Sequence, residues 1–386
     1  MQPDPAGTSR VASPKLLFLV TEDWYFCSHR LPVARAARDA GYAVAVATRV
    51  REHGDAIRAE GFSLHPLGWR RRGNGPLAHL RALWEIVRLY RAEDPDLLYH
   101  VALKPVLFGG LAARLAFPAR KRPALVSAVM GLGAGAGVGW KRRALLSALR
   151  FAASGGAIIV QNPEDQGALV SFGLDPARIA LIRGSGVDTA HFAALPEPAE
   201  HVITVALVGR MLKSKGVLDA VYAIRRLRAS GQTVQLLLAG TSDSDSGDSM
   251  SETELNALIE GPGIEWLGHV ADVREVWARA AIALLPSSYG EGVPKALLEA
   301  ASCARPIIAS DMPGCREVVV PDETGLLVPP NDVAALSRAI ATLAGDPALR
   351  RRMGAAGRAR VCAEFADPVV ADATLALCQA ELERRR

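Results

Sequence analysis

The stretch 203-ITVALVGRMLKSKG-216 sets how the rest of the chain is read. Six residues of strand length, five of them apolar, run straight into a glycine, and two cations, Arg210 and Lys215, follow in a short loop. A strand without a polar face has no side to give to water, which marks a parallel sheet covered by helices on both faces. Similar runs recur behind it at 234–239 (VQLLLA), 264–267 (IEWL), 281–286 (AIALLP) and 306–310 (PIIAS). Ahead of it stand 15–20 (KLLFLV), 43–48 (AVAVAT), 97–100 (LLYH), 124–129 (ALVSAV) and 156–161 (GAIIVQ). Strands alternating with helical patterns build βαβ units, so the expected class is α/β, with two doubly wound parallel sheets in tandem. The polar segment 193-AALPEPAEH-201, with two prolines, reads as the linker. The expected organisation is a loose tail over 1–14, a first domain over 15–195 and a second over 196–366. A last helix over 367–386 is expected to return to the first domain.

Composition narrows the class. A chain of 386 residues, half of them apolar, buries ample core for two domains. The opening MQPDPAGTSRVASP is polar and reads as a tail rather than a signal peptide, and no run is long enough to cross a bilayer, so the cytoplasm is the expected location. Cys27, Cys303, Cys315, Cys362 and Cys378 lack the paired spacing of a metal site or a disulfide framework and are expected as small buried hydrophobes. The net charge of +5 is unevenly spread: residues 1–195 hold 25 Lys and Arg against 15 Asp and Glu, and the remainder 20 against 25. The basic clusters Arg70-Arg71-Arg72, Arg120-Lys121-Arg122 and Lys141-Arg142-Arg143 alternate with apolar segments, which suits the inner face of the cell membrane as well as a plain solvated surface. No aromatic platform accompanies them, so nucleic acid is not an expected partner.

Open parallel sheets bind ligands beyond the carboxyl ends of their strands, so chemistry is sought in the loops there. Gly209 lets the chain turn after 203–208, and Arg210 with Lys215 suits a diphosphate. After 281–286 comes SSYGEGVPKALLEAASC, in which Gly290 and Gly292 flank Glu291 and Pro294 reads as the first residue of a helix reaching about Cys303. Glu299 lies among Leu297, Leu298, Ala300 and Ala301. A carboxylate there needs a partner, either a pair of sugar hydroxyls or an arginine of its own domain. Glu291 has a simpler reading as a contact to the helix dipole.

These residues resemble a known family. GRxxxxKG, then Glu291 and Glu299 eight residues apart, then 306-PIIASDMPGCREVV-319 and 323-ETGLLVPPND-332, look like the retaining glycosyltransferases of family four. The first half, with HRLPVARAARDAGY (29–42), YHVALKPVLFGGLAARLA (99–116), MGLGAGAG (130–137), VQNPEDQ (160–166) and LIRGSGVD (181–188), is similar to the bacterial capsule and O-antigen branch, which extends polyprenyl-diphosphate-linked saccharides. The resemblance implies the GT-B fold, two Rossmann-like domains facing across a cleft. It also implies transfer of a hexose or N-acetylhexosamine from a nucleotide diphosphate sugar, UDP first, with no cofactor and no metal. Arg210 and Lys215 would hold the diphosphate, Glu299 the ribose, and Glu291 the donor sugar beside the reacting carbon. Gly209, Gly290, Gly292, Val293, Pro294 and Lys295 would complete the donor site. His29, Arg30 and Lys104 would face the acceptor, a lipid-linked saccharide at the membrane surface.

The sequence also departs from the family. Met130 stands where many relatives carry a histidine, which leaves His100 as the expected catalytic histidine. Ala304 replaces a usual glycine. The DSD at Asp243–Asp245 sits in a serine-rich stretch and reads as loop rather than metal site. Two other enzymes fit parts of the pattern. Nucleotide-sugar 2-epimerases share the architecture without the GRxxxxKG and glutamate pair. An NAD-dependent oxidoreductase would use 131-GLGAGAGVG-139, yet the stretch behind it, WKRRALLSALRFAASGG, holds no acidic residue for a ribose.

Overall fold

The computed structural model describes residues 13–69, 75–132, 139–199 and 202–385. The cluster Arg70-Arg71-Arg72 and most of the glycine run at 133–138 lie outside them. Thirteen strands are present among the described residues: β1 (Lys15–Glu22), β2 (Ala43–Arg49), β3 (Ser63–Pro66), β4 (Leu97–Val101), β5 (Ala124–Ala128), β6 (Ala157–Val160), β7 (Ile179–Leu181), β8 (Ile203–Val208), β9 (Val234–Ala239), β10 (Ile264–Trp266), β11 (Ile282–Leu285), β12 (Ile307–Ser310) and β13 (Gly325–Val328). They form a seven-stranded sheet in the order β3-β2-β1-β4-β5-β6-β7 and a six-stranded sheet in the order β10-β9-β8-β11-β12-β13. Both orders grow outward in two directions from a central pair, which is the doubly wound arrangement expected. The strands not foreseen are β3, β7 and β13, all short and all at sheet edges, where, as at the three-residue edge strand β10, the sequence carries little pattern.

The second sheet shows why its strands are apolar throughout. Val205, Leu207, Leu236, Leu238, Ile282 and Leu284 point into one helical layer. Their alternates Ala206, Leu237, Ala239, Ala283 and Leu285 point into the other, with Trp277 and Phe365. Successive side chains face opposite sides of a strand, so burial on both faces requires an unbroken apolar run. In the first sheet, Leu17, Leu19, Ala45, Ala47 and Leu98 pack with Ile86, Val87 and Tyr90 of the helix Gly75–Glu93.

By its contacts the chain divides into two compact units. One comprises Met1–Ser127, Ala152–Ala157 and Leu375–Arg386, the other Ala128–Phe151 and Ile158–Thr374. Within the first, the end of the helix Asp367–Arg385 is anchored by Arg385, whose Nε donates to the carbonyl of Arg122 at 2.6 Å.

Two local expectations need correction. Pro294 caps the helix Lys295–Ser302 with an extended backbone instead of forming its first turn. Cys362 is exposed and Cys27 half-buried, so only Cys303, Cys315 and Cys378 act as buried hydrophobes. Ala304 sits at φ +59° just past that helix. A Cβ in left-handed backbone costs about 1 kcal/mol. Ala304→Gly should therefore raise the denaturation midpoint, and a lowered midpoint would show the strain to be absent.

Candidate functional site

The second sheet changes winding direction between β8 and β11, which pair through Ile282 with Val205 and Ala283 with Ala206. The loops leaving these two strands therefore run side by side. Gly216, at φ +74°, permits the approach, because a Cβ there would lie 2.1 Å from the carbonyl oxygen of Pro286. The amide of Ser288 donates to the carbonyl of Ser214 at 2.9 Å and ties the loops together.

This neighbourhood joins Lys215 to Glu291. The Lys215 ammonium lies 2.7 Å and 2.6 Å from the two Glu291 oxygens, with side chains only 13% and 19% exposed. Glu291 is thus bound to a cation rather than resting on a helix end. Arg210 donates from Nη1 to Asp243 Oδ2 at 2.6 Å. Asp243 is held in its turn within its loop, its Oδ1 accepting from the amide of Asp245 at 3.1 Å. A guanidinium carries five N–H donors and an ammonium three, so both cations keep donors for an anion while tied to these carboxylates.

Glu299 has a different character. It lies one helical turn beyond Lys295 on a helix whose Leu297, Leu298, Ala300, Ala301 and Ser302 are buried. No hydrogen bond or ion pair among the described residues reaches its carboxylate, which removes the arginine alternative. Although it retains a narrow opening to water, the surrounding atoms desolvate it and push its carboxyl up to about 7, with Lys295 opposing. An acid left in this state can accept two donors from a ligand.

The remaining expected residues divide. Gly290, Gly292 and Lys295 belong to the loop and helix start around Glu291, and Gly209 ends β8. The Val293 amide, expected to face a ligand, instead donates to Gln161 Oε1 at 2.9 Å. Pro294 has no amide proton to offer.

The catalytic role expected of His100 is not supported. Its side chain is fully buried, its Nε2 lies 2.8 Å from the Tyr90 hydroxyl, and burial lowers its pKa to about 3. A ring closed in among Tyr90, Gly109 and Leu19 cannot touch reacting atoms. Arg30 is 2% exposed, so little of its side chain is open to a ligand in this state. His29 stacks on Tyr25 at 4.1 Å, and the Lys104 ammonium lies 5.5 Å above the Trp69 ring with its pKa lowered by burial.

Gln161 and Asp165 were not singled out in the sequence, and Asp243, read there only as part of a loop, proves to hold Arg210. Asp165 Oδ1 accepts from the amide of Leu132 at 3.2 Å, and its Oδ2 from Asn162 Nδ2 at 2.9 Å. With Gly131, Leu132, Asn162, Gly290 and Glu291 it lines a hollow of about 230 Å³. The available signal was position, since Asp243 follows β9 and Gln161 follows β6, both at carboxyl strand ends.

Comparison with known proteins fits this geometry. Residues 202–346 match the model described as glycosyl transferases group 1, and residues 15–137 the model described as glycosyl transferase 4-like. The alpha-maltose-1-phosphate synthase of Mycolicibacterium smegmatis is 34% identical over 223 residues, 52% of this chain but only 57% of that enzyme. The chain thus spans about half the length of that relative. A Campylobacter jejuni enzyme, N,N'-diacetylbacillosaminyl-diphospho-undecaprenol alpha-1,3-N-acetylgalactosaminyltransferase, is 24% identical over 90% of this chain and 94% of its own. The Anabaena protein HepE, solved in complex with UDP, superimposes with a TM-score of 0.77 at 17% identity, covering 95% of this chain and all of that one. Each half of the chain thus resembles a glycosyl transferase domain, and its two parallel sheets have the GT-B fold.

Proposed function

We propose that the protein is a retaining glycosyltransferase of bacterial surface polysaccharide synthesis. It takes a hexose or N-acetylhexosamine from a nucleotide diphosphate sugar, UDP first, and places it on a polyprenyl-diphosphate-linked saccharide. The observation that carries this reading is the Lys215–Glu291 pair at the strand-order reversal of the second sheet, with Arg210 on the same loop and the unpartnered Glu299 nearby in sequence. Arg210 and Lys215 neutralise the diphosphate as it leaves, Glu299 accepts from the ribose hydroxyls, and Glu291 steadies the donor sugar. In the front-face step, the bond from the anomeric carbon to the diphosphate oxygen breaks while the acceptor oxygen bonds on the same face. The acceptor proton passes to the departing phosphate oxygen. Cations fixed in the fold stabilise the leaving group, so the proposed reaction needs no metal.

The acceptor and location rest on the name of the Campylobacter relative and on surface chemistry. The helix Trp140–Ala153 presents Trp140 at 75% and Phe151 at 57% exposure beside Lys141, Arg142 and Arg143, a mixture suited to an anionic bilayer. The test is a panel of radiolabelled nucleotide sugars incubated with membranes and chelator. Label should enter a butanol-extractable lipid saccharide, and the protein should leave anionic vesicles as salt rises. Label found only in an isomerised nucleotide sugar would point to the epimerase, and label only in a water-soluble acceptor would overturn the lipid-linked assignment.

A further inference from the structure

Glu291 can steady a sugar only if its backbone is fixed, yet it lies in a loop between two glycines. We infer that Gln161, together with Gly131 and Gly314, forms a clamp that sets the position of Glu291, with Gln161 as a positioning residue for the donor sugar. The inference rests on the functional reading above for what Glu291 does, and on geometry alone for the clamp.

Three separate segments converge on two peptide units. Gln161, 1% exposed at the end of β6, accepts the Val293 amide proton through Oε1 at 2.9 Å in a buried bond. Because the partner is an N–H, the oxygen and not the nitrogen of the side-chain amide must face it. Gly314, in the helix Pro313–Val318, stands so close that a Cβ would lie 2.0 Å from the Gly292 carbonyl oxygen and 2.7 Å from that of Glu291. Gly131, at φ +96° beyond β5, approaches from another direction, where a Cβ would lie 3.0 Å from the Gly292 nitrogen. Gly292 itself has no room for a side chain, since its Cβ would fall 1.9 Å from Gln161 Oε1. The loop between Tyr289 and Pro294 is therefore held by a hydrogen bond from one segment and by backbone contact from two others. Lys215 then fixes the Glu291 side chain.

A buried amide deprived of its acceptor loses the bond and keeps the desolvation cost, equivalent to about tenfold or more in an opening equilibrium. The experiment combines hydrogen exchange of the ligand-free protein with kinetics. In Gln161→Leu, the Val293 amide should exchange about tenfold faster while β8 amides keep wild-type rates. Turnover should fall about tenfold with UDP affinity within twofold of wild type, because the diphosphate and ribose contacts are untouched. Gln161→Glu, which keeps an acceptor oxygen, should restore Val293 protection. In a Glu291→Ala background, Gln161→Leu should cause no further loss of turnover. If Gln161→Leu does not fold, Gly314→Ala presses on the same peptides from the other side and should give the same pattern. Unchanged Val293 protection overturns the clamp, as does a loss of turnover that adds in full to that of Glu291→Ala. Absence of transfer by the wild-type protein would instead count against the glycosyltransferase reading, and exchange alone would then decide the clamp.

Discussion

Replacing Lys215 by methionine should lower kcat/KM for the donor by about 10²–10³-fold, the range seen when one group that stabilises developing charge is removed. Two losses combine in this variant. The diphosphate loses a cation at the moment negative charge collects on it, and Glu291 keeps a mostly buried charge whose counter-ion is gone. The second loss turns the Glu291 side chain away from its ligand-free position, so the sugar contact weakens as well. Lys215→Arg should recover only part of the activity, since a planar fork cannot occupy the place of a point charge 2.6–2.7 Å from both carboxylate oxygens. The check is steady-state kinetics together with thermal unfolding. A Lys215→Met enzyme within threefold of wild type would remove Lys215 from the donor site.

Glu299 should make nucleotide affinity depend on pH. Burial lifts its carboxyl from the ordinary 4.5 to about 7, and the ionised form accepts a pair of ribose hydroxyls more strongly than the neutral acid, which carries a proton on one oxygen. Nucleotide binding near pH 6 must therefore release a proton, and affinity should rise toward pH 7 and level off above it. Glu299→Gln should flatten this profile and weaken binding by about 10–100-fold, the value of hydrogen bonds to a charged acceptor. Stability should move the other way. With the folded pKa raised above the unfolded value, the contribution of Glu299 is complete below about 4.5 and is lost as pH climbs through about 7. Above pH 8 the Gln variant should thus be the more stable protein, by at most roughly 3 kcal/mol before the discount for its residual contact with water. Near pH 4 the two should match. Titration calorimetry in buffers of different ionisation enthalpy reads the proton directly, and a pH-independent affinity would deny Glu299 its place on the ribose.

Much of this was legible in the chain, and the reasons differ by element. Most of the ten foreseen strands announced themselves because burial on both faces favours unbroken apolar runs, and β10, a three-residue edge strand with an exposed Glu265, was read only through its flanking Ile264, Trp266 and Leu267. β3, β7 and β13 did not: each is a three- or four-residue edge strand, a length at which, as at β10, the pattern carries little constraint. Arg210, Lys215 and Glu291 stood out because charges at strand ends have few structural uses, and the doubly wound order brings two of those ends together. Glu299 stood out as a carboxylate in an apolar run. His100 misled for the opposite reason: a histidine at a strand end is equally a core residue when a tyrosine such as Tyr90 lies in reach, and no local pattern distinguishes the two. The burial of Arg30 was hidden in the same way, since a charge in the sequence gives no sign of being enclosed in space. Gln161 and Asp243 act across separations of 132 and 33 residues, which no spacing rule anticipates.

The most direct measurement is calorimetric titration of UDP, GDP and ADP into the wild-type protein and into Arg210→Ala, Glu299→Gln and His29→Ala variants, with chelator present throughout. One nucleotide should bind the wild type with a Kd below about 100 µM, equivalent to more than ~5 kcal/mol. That binding should weaken at least about tenfold in the Arg210 and Glu299 variants, the cost of losing a charge-assisted hydrogen bond, and be unchanged in His29→Ala. Binding of equal strength in all four proteins, or none by any nucleotide, would contradict a nucleotide-sugar site built from the loops beyond β8 and β11.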